Sequence, residues 1–134
     1  MIKLITGKKG TGKTKILIDM INEAAANTSG CVVCIEKGNA LTYDINHSVR
    51  LCDTEHYDIE GYDAFYGFVA GLLAGNYDIK EVFIDSILKV GGRDFEALGK
   101  LLANINKIAQ DVTVVFTVSA DAEELPESVS QYIG

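Results

Sequence analysis

Between residues 7 and 14 the chain reads Gly7-Lys8-Lys9-Gly10-Thr11-Gly12-Lys13-Thr14, with Lys15 next. The spacing is G-x-x-x-x-G-K-[ST], and each residue type in it has a physical reason. Glycine lets the backbone take positive φ and approach an anion closely. The amides from Gly10 to Lys13 can then converge as a concave anion nest, and the N-terminus of a following helix adds the positive end of its dipole. In that chemistry Lys13 reaches the β- and γ-phosphates of a nucleotide and the Thr14 hydroxyl ligates Mg²⁺, while Gly7, Lys8, Lys9, Gly10, Thr11, Gly12 and Lys15 shape the loop and its charge. A second pattern is Glu81-Val82-Phe83-Ile84-Asp85, an apolar run that ends in a carboxylate. Parallel sheets place their sites at that end of a strand, so Asp85 is the expected second metal-side residue, opposite Thr14. The plain alternatives are a glycine-rich turn with solvated lysines and a strand-end turn residue.

These residues need elements to hold them. Short Val- and Ile-rich runs stand at 2–5, 31–35, 49–52, 82–84 and 112–118. Most lack strict alternation, as strands buried on both faces do. Apolar residues at helical spacing occupy 13–27, 62–74 and 94–109, and Asp94 can cap the last of these. The tail from Asp121 to Tyr132 reads as a short helix interrupted near Pro126. Parallel strands need crossovers, which helices supply. The order therefore predicts an α/β fold: one domain over 1–134, a mainly parallel sheet of five strands, and helices on both faces. Segment 37–48 shows no clear period.

Composition narrows the partners. The 134 residues carry 12 basic and 19 acidic side chains, a net charge of −7. That argues against a broad nucleic-acid or anionic-membrane surface, both of which need basic excess. Four of the ten lysines (Lys8, Lys9, Lys13 and Lys15) form the one local exception. No stretch is long and apolar enough to span a bilayer, and the start does not read as a signal peptide. Three cysteines, an odd and small number, fit a reducing cytoplasm.

With both motifs in view, the chain resembles the P-loop NTPase superfamily, with Walker A at 7–14 and Walker B at 82–85. More narrowly it is similar to a minimal RecA-like ATP-binding domain. The resemblance implies a P-loop fold, ATP or another nucleoside triphosphate with Mg²⁺ as ligands, and slow hydrolysis. Many such ATPases carry a glutamate directly after the Walker B aspartate, and here that position is Ser86. The resemblance offers Glu36, at the end of the second strand, as the substitute base that activates water; its other reading is a solvent-facing residue before a turn. It implies a polar sensor beside the γ-phosphate on the last strand, Thr117 or Ser119, which can equally be cap residues. Arg93, after Gly91-Gly92 in a flexible connection on the ligand side, can neutralise phosphate charge or be a plain surface arginine. Such domains often assemble, so a second copy or a protein partner is expected for whatever work the nucleotide drives.

Two other functions compete. A non-catalytic ATP-dependent switch or assembly subunit fits the missing glutamate after Asp85. A small-molecule, nucleoside-type kinase fits less well, because the basic residues after 86 (Lys89, Arg93, Lys100, Lys107) are not clustered. Cys31, Cys34, Cys52 and His56 invite a zinc reading, but residues three apart on a strand face opposite sides. Gly67, Gly71 and Gly75 recur every four residues on one helix, which predicts close packing of that helix against the sheet. Glu55, Asp58, Glu60 and Asp63 form an acidic stretch that reads as a solvated loop or as a docking or second-substrate site.

Overall fold

The computed structural model describes residues 1–134. Five strands, β1 (Ile2–Thr6), β2 (Cys31–Glu36), β3 (Arg50–Asp53), β4 (Ile79–Ile84) and β5 (Thr113–Val118), form one sheet. Its order is β1-β5-β4-β2-β3, and every neighbouring pair is parallel. The helices are α1 (Lys13–Asn27), α2 (Tyr62–Gly75), α3 (Ile87–Gly91), α4 (Phe95–Ile108) and α5 (Glu127–Ser130). The α/β class and the parallel sheet thus agree with the sequence pattern. The short α3 replaces the flexible connection expected around Gly91-Gly92: the Tyr62 hydroxyl donates to the Gly92 carbonyl at 2.6 Å, and a Cβ on Gly91 would collide with the Tyr62 ring.

The two faces of the sheet are covered unequally. One carries a cluster of 24 buried residues in which Phe65 and Val69 of α2 and Leu98, Leu102 and Ile105 of α4 meet Val33, Ile35, Val82, Ile84, Val114 and Phe116. The other carries only 9, with Leu17 and Ile21 of α1 and Leu41, Ile45 and Val49 of the 37–49 segment over Val32, Cys34, Phe83 and Val115. Odd and even strand positions divide between these lists, as period-two alternation requires. Cys34 falls in one cluster and Cys31 packs against the other. Segment 37–49 links the parallel strands β2 and β3 without a helix; its turns bury Leu41 and Ile45 in place of a helical stripe.

The glycine stripe of α2 does not pack on the sheet. A Cβ added at Gly67, Gly71 or Gly75 would meet nothing within 4 Å. The helix buries Phe65 and Val69, and two residues along a helix is about 200°, which turns Gly67 and Gly71 to solvent.

The tail returns to β1. The Leu4 amide donates to the Tyr132 carbonyl at 2.9 Å, and Leu4 forms a bridge with Ile133. No helix is long and apolar enough to cross a membrane.

Candidate functional site

β1 ends at Thr6, and the loop 7–12 leads directly into α1 at Lys13. Gly12 stands at the helix N-cap with φ +86°, a left-handed conformation that favours glycine. At Gly7 a Cβ would lie 2.6 Å from Thr11 Oγ1, so the loop closes tightly only without a side chain there. The loop is wrapped around the Lys8 carbonyl, which accepts from Thr11 Oγ1 at 2.7 Å and from Lys13 Nζ at 2.8 Å. Lys13 is buried although charged. The loop is tied to the end of β5 by the Gly7 amide, which donates to the Ala120 carbonyl at 3.0 Å, and by the Lys8–Asp121 ion pair at 3.4 Å.

Three further polar side chains meet this loop from the sheet. Phe83 lies on the α1 face and Ile84 on the other, so Asp85 returns to the α1 face; the same alternation brings Glu36 after Ile35 and Thr117 after Phe116 to that face. Because β4 lies between β5 and β2, the three residues stand in a row along the C-terminal edge, Thr117–Asp85–Glu36. Thr14 Oγ1 donates to Asp85 Oδ1 at 3.3 Å, and Thr117 Oγ1 donates to the same oxygen at 2.9 Å. Thr117 in turn accepts from the Ser86 amide at 2.6 Å. Ser86 has φ +57°, a strained conformation of the kind that collects at functional sites.

Thr117 is therefore fully buried with its proton committed to Asp85. It orients the carboxylate and lies beneath the cleft, whereas Ser119 lines the cleft itself. Sequence alone leaves these two positions open; Thr117 lies within β5, whereas Ser119 lies just past its end at Val118.

Glu36 is buried, not solvent-facing. Its Oε2 accepts from the Leu41 amide at 3.0 Å. Burial pushes its carboxyl above the usual carboxylate range; the Leu41 amide opposes the rise and the Asp85 charge adds to it. The Cys34 thiol, on the same face of β2, is pushed up to about 12, chiefly by burial and then by the Glu36 and Asp85 charges. A thiol held so far from its thiolate is a poor nucleophile and metal ligand.

Above these residues lies a cleft of about 490 Å³. Lys9, Gly10, Gly12, Lys13 and Thr14 form one wall, and Ser86, Lys89, Arg93 and Ser119 line the other side. Arg93 is fixed there: it donates to the Ser119 carbonyl at 3.2 Å, pairs with Glu124 at 3.2 Å, and lies 5.4 Å from the centre of the Phe95 ring. Lys15 points elsewhere, pairing with Asp19 along the exposed side of α1 at 3.6 Å. Glu36 does not line the cleft. Lys89, which sequence reasoning noted only as unclustered, lines it; its signal is a place one turn into a helix that begins just after Asp85. A larger groove of about 630 Å³ lies at the opposite edge, between the end of α1 and the strand starts, and holds none of the candidate residues.

The cleft thus gathers Lys9, Lys13, Lys89 and Arg93 around a glycine loop at a helix N-terminus, with the Thr14 hydroxyl in its lining and the Asp85 carboxylate, which does not itself line the cleft, bonded to that hydroxyl. Such a site is electrostatically suited to a polyanion. No protein-family model matches the chain, and no curated protein matches it.

Proposed function

We propose that this protein is a P-loop domain that binds a nucleoside triphosphate, most naturally ATP, with Mg²⁺, and hydrolyses it slowly. The observation that carries this reading is the meeting of two motifs 71 residues apart, Thr14 Oγ1 with Asp85 Oδ1 at 3.3 Å, beside the buried Lys13 ammonium. Hydroxyl and carboxylate oxygens side by side suit a hard divalent cation. When bound, Mg²⁺ neutralises charge developing on the β- and γ-phosphate oxygens.

The chain's own residues have separate tasks in this reading. The amides of 10–13 hold phosphate oxygens. Lys13 exchanges the Lys8 carbonyl for a charged acceptor, a stronger partner. Thr117 holds Asp85 in orientation. Lys89 and Arg93 face the phosphates from the other side of the cleft. Glu36 takes a proton from the attacking water, and its raised carboxyl makes it the better base once ionised. Because Glu36 does not line the cleft, the 37–41 turn must shift to bring it to that water, and slow turnover is the expectation.

Calorimetric titration with Mg-ATP tests the binding. The parent should bind, and Lys13→Ala should lose about tenfold to hundredfold in affinity, the worth of one charge-assisted hydrogen bond or two. A parent that binds neither Mg-ATP nor Mg-GTP overturns the proposal.

A second reading, an ATP-dependent switch without turnover, is favoured by one feature. Ser86 supplies no carboxylate after Asp85, and Glu36 is engaged with Leu41 outside the cleft. ATP binding without turnover, together with an ATP-dependent change in elution volume, selects that reading over hydrolysis, whereas turnover that is unchanged in Glu36→Gln removes only Glu36 from the role of base.

A further inference from the structure

Beside the phosphate-facing cleft lies a second cavity of about 150 Å³, sharing only Lys89 with it. Backbone hydrogen bonds frame this cavity. The Thr54 amide donates to the Glu36 carbonyl at 2.9 Å, the Ile59 amide to the Thr54 carbonyl at 2.9 Å, and the Gly61 amide to the Val90 carbonyl at 3.0 Å. The 54–61 loop is thereby fastened to the ends of β2 and α3.

The lining carries charges of both signs, all on exposed residues: Lys37 just past β2, Lys89 from α3, and Glu55, Asp58 and Glu60 from the loop. None of the five belongs to an ion pair; the three pairs of the molecule are Lys8–Asp121, Lys15–Asp19 and Arg93–Glu124. Nor does any of their side chains accept or donate a hydrogen bond within the protein, although acidic and basic groups share so small a space. Thr54 also lines the cavity, 1% exposed, and its hydroxyl is the one buried side-chain polar atom of the chain without a partner. Native structures rarely leave such a group unpaired, and each case asks for an explanation.

We infer that this cavity binds a small zwitterion, a molecule on the scale of a free amino acid whose ammonium meets the carboxylates of the 54–60 loop and whose carboxylate meets Lys37 and Lys89. The Thr54 hydroxyl supplies the remaining hydrogen bond. Charges of both signs in one lining, none within 4 Å of an opposite one, complement a ligand that carries both signs. The volume, about that of five waters, excludes a nucleotide and admits a molecule of amino-acid size. The site does not rest on the nucleotide reading, since Lys13, Thr14 and Asp85 take no part in it and Lys89 is the one residue the two share.

The test is ligand-observed NMR on the full chain without nucleotide, using a pool of the twenty common amino acids. Control pools contain short alkylamines, short carboxylates and neutral polyols. Binding of one or more amino acids, with the control pools silent, supports the site. Lys37→Gln and Glu60→Gln, both at exposed positions, should each weaken the binding about tenfold or more, the loss expected for a hydrogen bond to a charged group. Thr54→Val should weaken it too while melting at or above the parent's temperature, because it removes an orphaned hydroxyl. Silence from the amino-acid pool overturns the inference. So does equal binding of amines or carboxylates alone, or variants that bind as the parent does. Loss of ATP binding in Lys13→Ala with amino-acid binding intact keeps the two sites' outcomes distinguishable.

Discussion

Asp85 and Glu36 are neighbouring carboxylates on adjacent strands, and only one of them is well supported. Asp85 accepts from two hydroxyls, whereas Glu36 is buried with one backbone amide and a like charge beside it. A carboxyl raised above its unfolded value adds stability at pH below that value and loses it as pH rises through the folded one. Glu36→Gln keeps the acceptor for Leu41 and removes the charge. At pH 7 it should therefore melt above the parent, and the gap should narrow as pH falls through the raised folded value and be closed below about 4.3, as thermal scans across pH would register. Thr117→Val is the opposite kind of change. It preserves shape, but it takes a donor from Asp85 and leaves the Ser86 amide unpaired in the interior. Chemical denaturation should show a loss of about 1–3 kcal/mol, and Mg-ATP affinity should fall with it.

At the scale of elements, α2 keeps its glycines in the open. Gly67 and Gly71 have helical backbone, face solvent and leave room for a methyl group. Each lowers helix stability by about 0.5–1 kcal/mol relative to alanine. Gly67→Ala and Gly71→Ala should each raise the unfolding free energy by that amount, and calorimetric melting of the single and double variants would show additivity. Failure of either to stabilise would mean that the glycine answers to something outside the monomer. Gly91 is the contrast, since its missing side chain is the space filled by the Tyr62 ring.

The whole molecule shows which parts of this arrangement could be read from sequence. The loop 7–14 and Asp85 were legible because their spacing is local and their strands are strongly apolar. The helices 13–27, 62–74 and 94–109 were legible within a residue or so because their periods run for three or more turns. α3 was not, since five residues are too few to display a period. The stripe of α2 misled because spacing of four states that glycines share a face but not which face. Thr117 and Ser119 are two residues apart at the end of β5, and the pattern marks both as polar; the register of β5 on β4, with Phe116 opposite Ile84, is what sets Thr117 beside Asp85. The cavity at 54–61 depends on a loop fastened to two distant elements, and an acidic stretch carries no signal of that.

The sheet's two borders are treated differently, with a consequence for how copies of this chain can meet. The outer side of β1 is occupied in part by Tyr132 and Ile133, and β3, at the other border, is only four residues long. A strand border with free amides and carbonyls is a template on which another chain can add itself, and short or covered borders blunt it. The tail therefore acts as a guard on β1. A variant ending at Ser130 should keep its far-ultraviolet dichroism but gain light scattering and thioflavin fluorescence on warming, below the temperature at which the parent does. Copies of the intact chain are left to associate through side-chain surfaces, because neither border offers a long run of backbone to extend.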